Sequence, residues 1–119
     1  MRSWVLAGAF CCLSMAAQAQ NCHVPTTRTL DNQAVEGYMT VKAGKTCSIR
    51  LLNSPGPVQR TSIVSGPGAG AATVSGTSIM YVPRSSYTGP DRFTYARGGE
   101  DRYGRPSVKT VTVNVSVVP

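Results

Sequence analysis

The C-terminal part of the chain carries the clearest alternation of apolar and polar residues. Valines occupy every second position from Val111 to Val117, and Thr112, Asn114 and Ser116 lie between them. A period of two sends successive side chains to opposite faces of a β-strand. The pattern therefore predicts a long antiparallel strand with one buried face and one solvated face.

Earlier segments carry shorter alternations of the same kind. The segment 46–52 places Cys47, Ile49 and Leu51 on one face, and 91–97 places Phe93 and Tyr95 on one face. Weaker alternation predicts strands at 38–42 and 59–65. Residues 20–35 are polar and irregular, which indicates an arm rather than a regular element.

Glycine and proline punctuate these strands. Gly76-Thr77 separates two alternating runs and predicts a hairpin with a type II′ turn. Proline or glycine clusters at 53–57 and 66–70 predict chain breaks, and the charged, glycine-containing segment 98–106 predicts a loop. Turns at this spacing are typical of a β-sandwich of about seven short strands.

Composition agrees with an all-β fold. Residues 20–119 contain 13 Val and 12 Thr but only 3 Leu, and β-branched residues suit a pleated, half-buried surface. One hundred residues make one domain. That length excludes multidomain enzymes, dinucleotide-binding folds and barrels of the (β/α)₈ type.

The first 19 residues have the three parts of a signal peptide. Arg2 supplies a positive charge, an apolar run follows from Trp4 to Met15, and Ala17-Gln18-Ala19 gives the small-x-small cleavage pattern. The apolar run is too short for a membrane anchor, which needs about 20 residues. We therefore expect a signal peptide at 1–19 and an exported domain at 20–119, periplasmic or extracellular, with no transmembrane anchor.

Two cysteines, Cys22 and Cys47, remain after the leader. An even cysteine count in an exported protein predicts a disulfide, and two cysteines allow a single pairing. Thiol catalysis is not indicated, because the Cys-x-x-Cys motif is absent. Cys11 and Cys12 lie within the leader, and bulky Phe10 argues against a lipidation site there.

A motif in the second half of the chain resembles a known family. Its spacing is aromatic-x-Gly-x-Asp-x-Phe-x-Tyr, carried by Tyr87, Gly89, Asp91, Phe93 and Tyr95. Tyr81-Val82-Pro83 precedes it as a strand end, and the Val/Thr alternation closes it. This order resembles the bacterial immunoglobulin-like, cadherin-like domains over residues 72–118, and more weakly over 38–65. The resemblance implies an immunoglobulin-like antiparallel β-sandwich that acts as an adhesive or spacer module.

Each motif residue has a structural explanation. Gly89 supplies a backbone conformation that residues with a Cβ avoid, Asp91 is expected to accept backbone N–H bonds at a turn, and Phe93 and Tyr95 should fill the space between the sheets. The chain also departs from the family, whose domains usually form acidic tandem arrays. Its formal net charge is +7, of which Arg2 in the leader contributes one unit.

Catalytic and metal chemistry find little support. His23 is the only histidine and has no acid or serine elbow nearby in sequence. A site made of Cys22, His23 and Cys47 would be one ligand short and would compete with the disulfide. Adjacent Glu100 and Asp101 point to opposite faces of an extended chain, and five acids in all argue against calcium. We expect no catalytic residue, no metal and no cofactor.

A basic cluster near the last hairpin is the one candidate binding site. It consists of Arg97, Arg102, Tyr103, Arg105 and Lys109. Loops gather at the ends of a sandwich, and guanidinium groups match phosphate, sulfate or carboxylate. The alternative is that these charges only keep the protein soluble. Nucleic acid is not an expected partner, because no aromatic stacking platform is visible.

These observations predict an exported, non-enzymatic interaction or structural module of the cell envelope. The alternative is a binder of acidic polysaccharide or lipopolysaccharide, or a small secreted inhibitor, using the basic loop 97–109. The corresponding partners would be a cell-envelope protein or an anionic polymer.

Overall fold

The computed structural model describes residues 21–51 and 58–119. The predicted signal peptide and the predicted break at 53–57 lie outside these residues. Within the described part of the chain, every regular element is a β-strand, so the all-β prediction is confirmed. The eight strands are β1 (Cys22–His23), β2 (Ala34–Lys42), β3 (Cys47–Arg50), β4 (Val58–Ser65), β5 (Gly70–Ser75), β6 (Ser78–Pro83), β7 (Gly89–Glu100) and β8 (Pro106–Val118).

The strands form two sheets. One sheet has five strands in the order β1-β2-β8-β7-β4, and the other has three in the order β3-β6-β5. Neighbouring strands are antiparallel except β2 and β8, which run parallel from the pair Ala34↔Thr110 to the pair Lys42↔Val118. After β2 the chain crosses to the second sheet instead of turning back, and this crossing permits the parallel pair.

The core lies between the two sheets. The four alternating valines of β8 are buried, as their spacing predicts, and Phe93 and Tyr95 of β7 are buried beside them. Phe93 stacks on Tyr81 of β6, with ring centroids 5.7 Å apart and planes 6° from parallel. Since Tyr81 belongs to the three-stranded sheet, this aromatic pair joins the two layers.

The predicted disulfide is present and also joins the layers. It connects Cys22 of β1, on the five-stranded sheet, to Cys47 of β3, on the three-stranded sheet. Cys47 is buried among the core residues. The bond therefore fixes the start of the N-terminal arm against the interior of the sandwich.

Local turns explain where the strands begin and end. In the turn between β5 and β6, Gly76 has a positive φ of 59° and Thr77 does not have a positive φ. This combination fits the predicted type II′ turn. The loop predicted at 98–106 is too long, because β7 continues to Glu100 and β8 begins at Pro106. Gly98 stays in the strand, where the Arg60 guanidinium of β4 lies across it, 3.3 Å from the position that a Cβ would take.

Candidate functional site

The β7–β8 connection, residues 101–105, lies at one end of the sandwich, and we call it the tip loop. The two strands pair from Gly89↔Val117 to Glu100↔Pro106, a distance of about 36 Å at 3.3 Å per residue. At the opposite end, the Asn21 carbonyl accepts the Lys42 N–H and the Val118 carbonyl accepts the Ala43 N–H. Both ends of the described domain therefore lie far from the tip loop.

Asp101 braces the tip loop from inside. Its carboxylate accepts the N–H groups of Tyr103 at 2.8 Å and Arg105 at 2.9 Å, and the Arg105 Nε at 3.0 Å. The Asp101 N–H donates to the Arg105 carbonyl, and Gly104 closes the turn with a φ of 78°. The backbone N–H of Arg105 is the main cause that lowers the pKa of Asp101, so the carboxylate stays ionised and the loop stays braced at neutral pH.

The braced loop presents an aromatic side chain to solvent. Tyr103 is 71% exposed, and the guanidinium carbons of Arg102 and Arg105 lie 5.7 Å and 5.1 Å from its ring centre. Cations at these distances are attracted to the ring face. The result is an exposed tyrosine flanked by two arginines, residue types that often dominate the energy of protein–protein contacts.

A second acid, Asp31, binds the start of β8 next to the tip loop. Asp31 accepts hydrogen bonds from the buried Lys109 Nζ, at 2.8 Å, and from the Ser107 hydroxyl. Lys109 is the main cause that lowers the pKa of Asp31. Asn32 is fixed to the same strand, since its N–H donates to the Val108 carbonyl and its side-chain oxygen accepts the Val108 N–H.

The tip loop and residues 31–32 border an open cavity of about 420 Å³. Sequence reasoning missed Asp31, because its partner Lys109 is 78 residues away and no local pattern links them.

The basic cluster predicted from the sequence is divided by the strands. Arg97 and Lys109 are register partners on β7 and β8, and both are buried, with 9% and 6% of their surfaces exposed. Arg97 follows Phe93 and Tyr95 on the inward-facing positions of β7, because the alternation of that strand continues past Tyr95. Lys109 lies opposite Arg97 on β8 and also faces inward. Only Arg102, Tyr103 and Arg105 are brought together on the surface.

Two of the cations near the tip loop form ion pairs with acids. Arg105 forms an ion pair with Asp101, and Lys109 forms one with Asp31. Glu100, which ends β7, is a third acid beside the loop, against the four cations Arg97, Arg102, Arg105 and Lys109. The pairing of Arg105 and Lys109 with acids weakens the attraction of this end of the sandwich for a polyanion.

The signature residues form a structural brace. The Tyr87 hydroxyl donates to the Pro90 carbonyl across Gly89, whose φ is 129°. Asp91 accepts the N–H groups of Gly68 at 2.9 Å and Ala69 at 3.1 Å, which belong to the loop between β4 and β5. It therefore ties the start of β7 to a loop more than 20 residues earlier.

Asp91 also accepts the hydroxyl of Tyr81 at 2.6 Å. Burial is the main cause that raises the pKa of Tyr81, and the hydrogen bond to Asp91 adds to it. The hydroxyl therefore stays protonated and remains a donor to the carboxylate. This network holds the aromatic pair of Tyr81 and Phe93 in place and leaves Asp91 with three partners inside the protein, apart from its own chain neighbour.

Residues 21–51 and 58–119 contain neither a metal-binding cluster nor a membrane-spanning helix. In that part of the chain, no three His, Cys, Asp or Glu side chains lie close enough together to hold a metal ion. The same residues contain no helix long and apolar enough to cross a membrane. His23 lies exposed on the two-residue strand β1.

Two packed sheets, an inter-sheet disulfide and a buried aromatic pair define an immunoglobulin-like sandwich. Residues 24–115 match the bacterial Ig domain family, and the chain belongs to that family. Domains of this family are structural or interaction modules. No curated protein matches the chain.

One solved structure with a similar chain path is a sialyltransferase from Photobacterium damsela. The two chains are 12% identical, with a TM-score of 0.41, over 71% of this chain and 18% of that one. The chain therefore spans less than a fifth of that protein's length.

Proposed function

We infer that this domain is an exported, non-catalytic interaction module of the bacterial cell envelope, which contacts a protein partner through the tip loop. Membership of the bacterial Ig domain family supports an interaction or structural role. The predicted signal peptide at 1–19 supports export to the periplasm or the cell exterior.

The observation that carries the proposal is the rigid display of Tyr103. Asp101 fixes the loop through three hydrogen bonds, so little conformational entropy is lost when a partner binds. The loop lies about 36 Å from the end where both described chain ends meet. A contact surface at that distance leaves room for attachment or neighbouring protein at the opposite end.

An anionic polymer is the weaker alternative for the same loop. Polyanion binding depends on an uncompensated cluster of cations, whereas Arg105 and Lys109 are already paired with Asp101 and Asp31. An exposed tyrosine between arginines favours a partner that buries the ring. A small secreted inhibitor would use the same rigid loop, and its target would also be a protein.

The test compares two matched double variants of the domain spanning residues 20–119. The tip variant combines Arg102→Ala with Tyr103→Ala. The control combines Arg92→Ala with Val82→Ala, which removes one arginine and one exposed apolar side chain from positions away from the tip loop. Each immobilised domain is incubated with detergent-solubilised cell envelope at physiological salt, and the bound proteins are quantified by mass spectrometry.

We expect the wild type and the control to retain a protein at a fixed stoichiometry, and the tip variant to lose it. Binding that disappears as salt rises from 50 to about 500 mM, together with acidic polysaccharide in the eluate, would indicate the polymer alternative. Equal losses in both variants would contradict a contact through the tip loop.

A further inference from the structure

A narrow slot runs along β3, the strand at one edge of the three-stranded sheet. Its cavity of about 320 Å³ is lined on one side by Ser48, Ile49, Arg50 and Leu51 in succession. Successive side chains of a strand point to opposite faces, so four consecutive residues can line one cavity only along the strand edge. We call this cavity the β3 slot. The arm at 24–27 forms its other wall.

The main-chain groups of β3 that face the slot can be assigned from its pairing with β6. The Leu51 N–H donates to the Thr77 carbonyl at 2.8 Å, which continues the register of Ile49 with Ile79. Hydrogen-bonded and non-hydrogen-bonded pairs alternate in an antiparallel ladder. Ile49 therefore bonds to β6, whereas the N–H and C=O groups of Ser48 and Arg50 point into the slot.

No strand occupies the far side of the slot in the described part of the chain. β3 pairs only with β6, and among residues 21–51 and 58–119 no main-chain hydrogen bond joins the 24–29 arm to β3. Pro25 has no N–H to offer. The groups at Ser48 and Arg50 are spaced two residues apart, which is the spacing that an added strand requires.

The side chains around the slot indicate the chemistry of an occupant. Below it lie Tyr95, Val111 and Val113 on the inner face of the five-stranded sheet. Two cations, Arg50 at the exposed rim and Arg97 further in, also line it, and no acidic residue does. An extended segment with apolar side chains facing inward and acidic side chains facing outward, near Arg50, matches this arrangement.

We propose that the β3 slot binds an extended, acidic segment of a partner protein by strand addition to β3. The four residues 48–51 span about 13 Å, room for a four-residue ladder at 3.3 Å per residue. Main-chain pairing with Ser48 and Arg50 provides the register, and the charge of Arg50 selects acidic side chains on the outward face of the added strand. This surface is separate from the tip loop, so it extends the proposed function and does not depend on it.

The first test follows individual amides of the domain spanning residues 20–119 by hydrogen exchange. The probe is an acetylated and amidated seven-residue peptide that alternates aspartate with valine. Without peptide, the Ser48 and Arg50 amides should exchange at least about tenfold faster than those of Ile49 and Leu51, because only the latter are hydrogen-bonded, to β6 and to Thr77 in the turn before it. With peptide in excess, the Ser48 and Arg50 amides should become protected. A side-chain contact alone would leave their exchange unchanged.

Two pairs of variants separate strand addition from other modes of binding. Ser48→Pro removes an N–H that faces the slot and should weaken peptide binding about tenfold, the equivalent of one hydrogen bond. Val74→Pro makes the same change on β5, the opposite edge of the sheet, and should leave the affinity within about twofold. Thermal melts confirm that each variant is folded.

A charge reversal tests the slot even where a proline variant does not fold. Arg50→Glu should abolish binding of the aspartate peptide and create binding of a lysine–valine peptide of the same length, whereas Lys45→Glu, in the preceding turn, should change neither. Unchanged exchange at Ser48 and Arg50 with millimolar peptide would overturn the proposal. Protection of these amides that depends on domain concentration without peptide would also overturn it, because the occupant would then be a second copy.

Discussion

The disulfide gives a prediction whose size can be worked out from the fold. Cys22 and Cys47 are 25 residues apart, and closing a loop of that length lowers the entropy of the unfolded chain by an amount worth about 3.5 kcal/mol at 25 °C. A domain of this size is stable by about 5–15 kcal/mol in all. Because the bond also ties the two sheets together, its loss should be felt by the whole sandwich.

The assay compares melting of the oxidised and reduced domain spanning residues 20–119. A loss of 3.5 kcal/mol corresponds to a Tm about 14–28 °C lower for a domain near 100 residues. Reduction changes no side-chain volume in the core, so it isolates the effect of the cross-link. A Cys22→Ser/Cys47→Ala variant should melt near the reduced protein and ignore reductant. Alanine is used at Cys47 because that site is buried.

A Tm shift below about 3 °C would refute the reasoning. It would mean that the unfolded chain gains little entropy when the cross-link opens, or that β1 and β3 are held together by other contacts. Mass spectrometry of the oxidised sample confirms the bond through the loss of two hydrogens.

Three further predictions concern the core, the brace and the tip. Phe93→Ala should lower the unfolding free energy by about 3–5 kcal/mol in urea titrations, because a fully buried ring is lost; a loss below 1 kcal/mol, within the range of surface changes, would contradict its place in the core. Asp91→Ala should cost about 1–3 kcal/mol, since the buried Tyr81 hydroxyl loses its acceptor, and Tyr81→Phe should restore part of that loss. The pKa of Asp31 is lowered from its ordinary 3.8. The stability that the ionised Asp31 carboxylate contributes to the fold is therefore fully present above that pH and is lost as the pH falls through the lower native pKa. Asp31→Asn should therefore flatten the acid limb of Tm against pH; an unchanged limb would contradict the pairing with Lys109.

Long, regular alternation was enough to predict the strands that form the core. The valines of β8, and Phe93 and Tyr95 of β7, are buried on the face that their period of two predicts. By contrast, β1 has only two residues and no period to detect. The parallel pairing of β2 with β8 could not be predicted either, because alternation shows which face of a strand is buried but not which strand lies beside it.

The composition of the tip was visible in the sequence, but its boundaries were not. Gly98 and Gly99 favour a loop by local preference, yet Arg60 packs across Gly98 and the ladder continues to Glu100. That extension buries Arg97 and Lys109 and leaves Arg102 and Arg105 on the surface. The β3 slot depends on which strand edge stays unpaired, a property of sheet order that no local pattern records.

The position of β8 in the five-stranded sheet has a consequence for the order of folding. β8 lies between β2 and β7, and among the residues that the structure describes it is the only strand that links β1-β2 to β7-β4 within that sheet. The five-stranded sheet therefore cannot form until residues 106–118 are available, even when all the earlier strands are already present. Because these pairings join residues far apart in sequence, as in β2 with β8, folding should be slow, on the scale of milliseconds to seconds. Until that strand docks, the edges of β2 and β7 are open to pairing with other chains, so the risk of aggregation is concentrated in the final step of folding.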